Sequence, residues 1–180
     1  MDFKVYGPFI MPRNRRGLIT TDADEKRYFW QEIDADFESL SDACGCFIFA
    51  ISPSGGGSKP WYVGQTCRQG FRSECFQPHK INLYNNAIAG YERGTPLLYL
   101  LAKLTPSKQA FVTPSSNGHS DIGALEDVLI GIAYARNRNL LNIRGTKFLR
   151  DAVIPGVMNS PPGNPGAAAM ELKRLLGLDE

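Results

Sequence analysis

The sequence predicts an α+β protein, with a small, three-stranded, mostly antiparallel sheet flanked by helices and an extension at each end. In residues 45–51 and in residues 60–65 the side-chain types alternate with the period of two that is typical of a β-strand. A Gly/Ser-rich loop separates the two segments, which indicates a β-hairpin. Residues 95–105 form a continuous apolar run that indicates a third, buried strand. Helical patterns precede, separate and follow these strands, and this order is typical of α+β domains.

The first 44 residues are expected to form an N-terminal extension that consists of a strand and an amphipathic helix. Residues 3–10 alternate but are interrupted by Pro8. Residues 20–42 indicate a helix, in which Thr21 and Asp24 have the spacing of a capping box. Its apolar positions recur at steps of three and four residues and predict a buried face: Phe29, Ile33, Phe37 and Leu40.

Helical patterns dominate the chain beyond the hairpin. Residues 67–91 predict a helix in two pieces, broken near Pro78. Residues 121–139 predict a longer amphipathic helix, and "LLNIRGTKF", residues 140–148, predicts a turn or a short strand.

The domain organisation follows from these elements. Residues 45–150 are expected to form the core of the protein. Residues 151–180 are expected to form a Pro/Gly linker followed by a terminal helix near 166–177. A chain of 180 residues with 43% hydrophobic residues fits one domain with extensions.

The charge is small overall and unevenly distributed. The net charge is +2, yet residues 136–150 contain five basic side chains and no acidic one, whereas residues 22–42 contain eight acidic side chains. A basic segment on a nearly neutral protein is typical of a phosphate-contacting surface, and equally of a solvated helix end and loop.

Neither a membrane-spanning segment nor a signal peptide is evident in the sequence. We therefore expect a cytoplasmic protein with reduced cysteines and no membrane partner. Cys44, Cys46, Cys67 and Cys75, with His79, leave open a structural zinc site, although no C-x2-C pair is present.

Several residues of types that take part in catalysis occur in a recognisable order. "GCF" at residues 45–47 and "YVG" at 62–64 lie on the hairpin strands. Arg72 follows in "FRSE", Glu126 lies in "LEDVLI", and Asn142 ends "NRNLLN". In this order and spacing, the motifs over roughly residues 45–145 resemble those of the GIY-YIG nuclease superfamily.

The resemblance implies divalent-metal-dependent cleavage of phosphodiester bonds, with DNA favoured over RNA. It implies that Glu126 binds Mg²⁺ or Mn²⁺, which keeps most of its waters, and that Arg72 stabilises the charge of the transition state. Tyr62 is expected to help activate the attacking water, with its pKa lowered by Arg72 or by the metal. Gly64 would allow close backbone approach, and Asn142 would orient the site through hydrogen bonds.

The first motif departs from the family pattern because Phe47 stands where a tyrosine is usual. Phenylalanine keeps the ring but cannot donate, accept or lose a proton. The alternative function is therefore a catalytically impaired module that binds nucleic acid or another partner. His79 is expected to reach the site if the helix breaks at Pro78. The residues expected to contact substrate are Phe47, Gly64, Gln65 and Lys80.

Overall fold

The computed structural model describes residues 1–54, 57–90 and 94–178. The chain divides into two compact units, Met1–Asn142 and Ile143–Glu180. The first unit contains the sheet and the residues singled out by the sequence. Within the described residues, no helix combines the length and the apolar character that crossing a membrane requires.

The sheet has four strands, and the expectation of three is wrong. The strands are β1 (Asp2–Ile10), β2 (Gly45–Pro53), β3 (Lys59–Thr66) and β4 (Gly94–Leu104), in the spatial order β1-β4-β2-β3 with every neighbouring pair antiparallel. The predicted hairpin and the third strand are confirmed as β2, β3 and β4. The fourth strand comes from the N-terminal segment, which pairs with β4.

Strand β1 continues past Pro8 because the irregularity is absorbed by a bulge. Tyr6 is paired with Leu100 and Phe9 with Leu98, so Gly7 and Pro8 fall outside the regular ladder. Proline has no backbone N–H to donate and is tolerated at bulges and on edge strands. Both conditions hold here, since β1 is at one edge of the sheet.

Four helices pack on the two faces of the sheet. They are α1 (Ala23–Asp36), α2 (Phe71–Cys75), α3 (Pro78–Gly90) and α4 (Ser120–Arg136). Helices α1, α2 and α3 share one core cluster with Phe47 and Phe49 of β2. Ile122 of α4 belongs to a second cluster with Cys44 and Cys46. Side chains alternate along a strand, so the two clusters lie on opposite faces.

The helix boundaries agree with the sequence at Pro78 but not in α1, which ends at Asp36 and not at residue 42, and Phe37, which was predicted to be buried, is exposed. The expected break near Pro78 is confirmed, because α2 ends at Cys75 and α3 begins at Pro78. Helix α1, in contrast, is capped by Asp22. Its carboxylate accepts hydrogen bonds from the backbone N–H groups of Asp24 and Glu25, both at 2.9 Å.

The second unit contains α5 (Ile143–Asp151) and α6 (Ala167–Leu175). Helix α6 confirms the predicted terminal helix and has no buried side chain. Helix α5 shows that the turn or short strand expected for residues 140–148 is wrong. Between the two helices, the Asn159 amide donates hydrogen bonds to the carbonyl oxygens of Leu149, at 2.6 Å, and Ala152, at 2.8 Å.

Candidate active site around Tyr62

The β2–β3 hairpin places Phe47, Tyr62 and Gly64 together. Phe47 is directly opposite Gly64, and Phe49 is opposite Tyr62. A Cβ atom on residue 64 would lie only 2.4 Å from Cζ of Phe47. Glycine at this position therefore makes room for the Phe47 ring, which is fully buried. Because Phe47 has no exposed surface, this structure offers no substrate contact through it.

Tyr62 is half-buried among aromatic rings and acidic groups. Its ring centroid lies 6.2 Å from that of Phe47 and 5.8 Å from that of Tyr84. Burial, and after it the charges of Glu126 and Glu74, together raise the pKa of Tyr62 to about 12. The expected lowering of this pKa by Arg72 is therefore not what the structure provides. A protonated phenol donates a hydrogen bond and does not act as a base.

The cation beside Phe47 is Lys80 of α3. Its side chain is 4% exposed, and its Nζ atom forms an ion pair with the carboxylate of Glu74. The same Nζ atom lies 4.9 Å from the centroid of the Phe47 ring, a cation–π distance. Lys80 therefore stands near the position where a substrate phosphate was expected, but its charge is already engaged.

Glu74 of α2 is a residue that the sequence analysis missed. Its carboxylate accepts hydrogen bonds from the side-chain amides of Gln69 and Gln77, in addition to the ion pair with Lys80. Its charge also acts on Tyr62. Its position in the sequence, two residues after Arg72 on the same predicted helix, could have indicated that Glu74 and Arg72 point to different sides. Side chains two apart on a helix point in roughly opposite directions, since each residue turns the helix by about 100°.

Arg72 is directed away from this cluster. Its guanidinium forms an ion pair with Asp42, and its side chain is half exposed. It lines a groove of about 480 Å³ that also involves Lys26 and Trp30 of α1. The structure therefore does not bring Arg72 together with Tyr62.

The charge of Glu126, on α4, acts on Tyr62, although Tyr62 packs against the larger cluster and α4 covers the other face of the sheet. The Glu126 side chain is partly buried, and its charge raises the pKa of Tyr62 and of Cys46. The thiol of Cys46 is 3.4 Å from the carbonyl oxygen of Ile122, one helical turn before Glu126. Gln65 is opposite Cys46 in the sheet, and its Oε1 atom is buried without a hydrogen-bond partner in the described part of the chain. Two acceptor side chains, Glu126 and Gln65, thus lie beside Cys46.

The side chains around Glu126 fit magnesium only if a substrate supplies some of the metal ligands. No group of three His, Cys, Asp or Glu side chains that could hold a metal ion occurs within residues 1–54, 57–90 and 94–178. Mg²⁺ is commonly held through one or two carboxylates, its own waters and substrate phosphate oxygens. Glu126 alone fits such joint binding with a substrate, and does not fit a tightly held resident ion.

Asn142 fastens the strand that carries Tyr62. Its side-chain Oδ1 atom accepts from the backbone N–H of Val63 at 2.9 Å, and its Nδ2 atom donates to the backbone carbonyl of Val63 at 2.7 Å. The backbone N–H of Leu141 donates to the carbonyl oxygen of Trp61 at 2.8 Å. The segment that ends at Asn142 therefore covers the outer edge of β3, which would otherwise expose unpaired backbone groups.

The remaining expected residues lie outside this cluster. His79 is exposed on the first turn of α3, whereas the adjacent Lys80 is turned inward. The basic segment 136–150 is divided between the two units. In the first unit Arg138 is exposed, and its guanidinium lies 4.8 Å from the ring centroid of Tyr134. In the second unit Lys147 and Arg150 are exposed.

The four cysteines are free thiols, divided between the two faces of the sheet. Cys44, Cys46 and Cys67 belong to or pack against the cluster under α4, whereas Cys75 belongs to the larger cluster. This separation gives the zinc alternative no geometric support.

No family model, curated protein or solved structure matches the chain. The resemblance to the GIY-YIG nuclease superfamily therefore rests on the motifs quoted above, and it stays a prediction.

Proposed function

We propose that the protein is a divalent-metal-dependent endonuclease that hydrolyses phosphodiester bonds, with DNA favoured over RNA. The observation that supports this best is that Glu126 lies near enough to Tyr62 for its charge to raise the pKa of the phenol. These residues are 64 positions apart in the sequence and lie on different elements, yet the resemblance assigns both to one site. Asn142 adds support, because it holds the backbone of Val63, the residue after Tyr62.

The electrostatics assign the residues different tasks. Glu126 would hold Mg²⁺ or Mn²⁺ together with a substrate phosphate, and the metal would neutralise phosphate charge and activate water. Tyr62, protonated at neutral pH, would donate a hydrogen bond to a phosphate oxygen or to the attacking water. Lys80 would add positive charge when a phosphate competes with Glu74 for it. We also propose a cytoplasmic location, in which the four thiols would stay reduced.

The class of reaction is tested by a substrate panel. Supercoiled plasmid, single-stranded DNA and RNA are incubated with the protein in Mg²⁺, in Mn²⁺ and in excess EDTA. We expect nicking or linearisation of the plasmid with either metal, slower cleavage of RNA, and no cleavage in EDTA. Cleavage that persists in EDTA, or that co-purifies unequally with the protein over two columns, would contradict the proposal.

The source of the positive charge is tested by a matched pair of variants. Arg72→Gln and Lys80→Gln each remove one cation next to the α2–α3 junction. The double variant Glu74→Gln/Lys80→Gln removes the Lys80 cation together with the carboxylate that pairs with it, so no unpaired charge stays at residue 74. If Lys80 supplies the charge, both Lys80 variants lose cleavage by roughly 10²-fold or more, while Arg72→Gln loses little. A large loss of cleavage in Arg72→Gln with little loss in the two Lys80 variants would instead assign this role to Arg72.

The alternative function is a nucleic-acid-binding or interaction module that has lost the chemistry. The observation that favours it is the burial of Phe47, which supplies no polar atom where the related motif has a tyrosine hydroxyl. Salt-sensitive DNA binding without cleavage under every metal condition would support this alternative. The Phe47→Tyr variant then indicates whether the missing hydroxyl is the cause, since it would gain cleavage.

A further inference from the structure

We propose that Cys44 and Cys67 are a redox-sensitive pair that forms a reversible disulfide across the base of the β2–β3 hairpin. This inference is independent of the proposed nuclease function. It assigns a modification site to two cysteines that the candidate active site does not use.

Cys44 and Cys67 lie one position beyond the end of the β2–β3 ladder, and the register, continued by that one position, places them opposite each other. The last pair of the β2–β3 ladder is Gly45 with Thr66, and the strands are antiparallel. The next facing positions are therefore Cys44 and Cys67. Directly opposed residues in an antiparallel pair have Cα atoms about 4.5–5.5 Å apart, which is inside the range that a disulfide spans, about 4.4–6.8 Å.

The two side chains also share one face of the sheet. Cys44 is buried in the cluster under α4, and Cys67 packs against the same cluster. Cys67 is one of the groups that raise the pKa of Cys44, after burial, so the two thiols are close enough to interact electrostatically. The Cys44 thiol is 3.8 Å from the carbonyl oxygen of Gln69, in the turn that Cys67 begins.

A single loop holds the backbone of both cysteines. The N–H of Cys44 donates to the carbonyl oxygen of Val112 at 2.9 Å, and the N–H of Ser115 donates to the carbonyl oxygen of Cys67 at 3.0 Å. This arrangement limits relative movement of the two cysteines, so an oxidised Cys67 is held beside its partner.

The geometry selects this pair over the others. Cys46 is on the same face, but it stands diagonally from Cys67, and diagonal neighbours are about 7–8 Å apart, beyond the reach of an unstrained disulfide. Cys46 has Gln65 as its direct partner. Cys75 belongs to the cluster on the other face of the sheet.

The reaction is a two-electron oxidation by hydrogen peroxide. Peroxide transfers one oxygen atom to the sulfur of Cys67, the more exposed thiol, giving a sulfenic acid and one water. The sulfur of Cys44 then attacks the sulfenic sulfur, the S–S bond forms, and the hydroxyl leaves with the Cys44 proton as a second water. In total, two thiols and one peroxide give one disulfide and two waters. A dithiol reductant reverses the change by thiol–disulfide exchange.

The test compares two double variants of the full chain. Cys46→Ser/Cys75→Ser retains the proposed pair, and Cys44→Ser/Cys67→Ser removes it. Each protein, and the wild type, is treated with hydrogen peroxide, quenched under denaturing conditions with N-ethylmaleimide, and analysed by intact mass and by peptide mapping, with and without dithiothreitol.

We expect the wild type and Cys46→Ser/Cys75→Ser to lose two hydrogen atoms, to resist alkylation at Cys44 and Cys67, and to yield one linked peptide containing these two residues. Dithiothreitol should restore both thiols. The Cys44→Ser/Cys67→Ser variant should form no intramolecular disulfide. Full alkylation of Cys44 after peroxide, irreversible oxidation of Cys67 without a link, or a different linked pair in the wild type would each overturn the proposal. If the first double variant does not fold, the wild-type peptide map alone decides.

Discussion

At the scale of single residues, the candidate site is shaped by what Phe47 and Tyr62 touch. The Phe47 ring occupies the space above Gly64 and below Lys80. This packing orders the hairpin. Unlike Phe47, the neighbouring Tyr62 has a polar atom in its side chain and is partly exposed. In the proposed reaction Tyr62 would act as a donor, because burial and then the charges of Glu126 and Glu74 oppose its ionisation.

The contact between Phe47 and Gly64 predicts that Gly64→Ala is destabilising. The added methyl group would overlap the ring at 2.4 Å, and both partners belong to the sheet. We expect a loss of about 1–3 kcal/mol in the free energy of unfolding, measured by urea denaturation. Gly131→Ala is the matched control, because no atom of the described residues lies within 4 Å of its added methyl group. That helical substitution should instead stabilise by about 0.5–1 kcal/mol. Equal effects of the two would show that the overlap is relieved without cost.

The raised pKa of Tyr62 predicts a loss of stability in alkali. Its pKa is 10.0 in the unfolded chain and about 12 when folded. Folding therefore favours the protonated phenol, and this contribution is complete below pH 10 and is lost as the pH rises through about 12. Cys44 and Cys46, with pKa values raised to about 11 and about 12, act in the same direction.

Urea unfolding of the wild type and Tyr62→Phe over this pH range tests the assignment. The wild type should lose stability between pH 10 and about 12, and Tyr62→Phe should lose less. Tyr28→Phe, at an exposed position, is the control. An unchanged pH dependence in Tyr62→Phe would show that Tyr62 ionises as it does in the unfolded chain.

At the scale of elements, the ends and edges were harder to predict than the elements themselves. Thr21 and Asp22 are adjacent and both are good cap residues, so the spacing pattern could not distinguish them. The structure selects Asp22, whose carboxylate reaches two backbone N–H groups. Helix α5 was missed because Gly145 and Thr146 are weak helix formers and the apolar residues before it favoured a strand.

The cap assignment predicts different effects for two neighbouring substitutions. Asp22→Ala should lower the free energy of unfolding by about 1 kcal/mol, since two N–H groups lose their acceptor. Thr21→Ala should change it by less than about 0.5 kcal/mol, as expected for a surface site. Thermal denaturation followed by circular dichroism measures both. A larger effect at Thr21 would restore the capping box that the sequence suggested.

The edge of β3 gives a second prediction at this scale. Asn142→Ala removes both hydrogen bonds to Val63 and leaves a buried N–H and a buried carbonyl without partners. We expect a loss of about 1–3 kcal/mol in stability, with faster hydrogen exchange at the Val63 amide. Asn139→Ala, three residues earlier and exposed, is the control and should change neither quantity. Unchanged protection of Val63 would mean that other contacts hold this strand.

At the scale of the whole molecule, local patterns predicted the elements, while long-range contacts decided how the site is arranged. The hairpin, β4 and the break at Pro78 follow from alternation, apolar runs and proline chemistry. The pairing of β1 with β4 joins segments about 90 residues apart, which no local pattern encodes. The inward position of Lys80 likewise depends on Glu74, Gln69 and Gln77 forming one network.

The central claim is that the protein cleaves phosphodiester bonds and that Glu126 is required for this cleavage. The most direct test is the cleavage rate of a labelled DNA duplex in Mg²⁺ at matched occupancy, for the wild type, Glu126→Gln and Asp127→Asn. Asp127 is the exposed neighbouring carboxylate on α4 and serves as the control. We predict cleavage by the wild type and by Asp127→Asn, and a loss of roughly 10²-fold or more in Glu126→Gln. Equal rates in all three proteins, or DNA binding by the wild type without any cleavage, would contradict the claim.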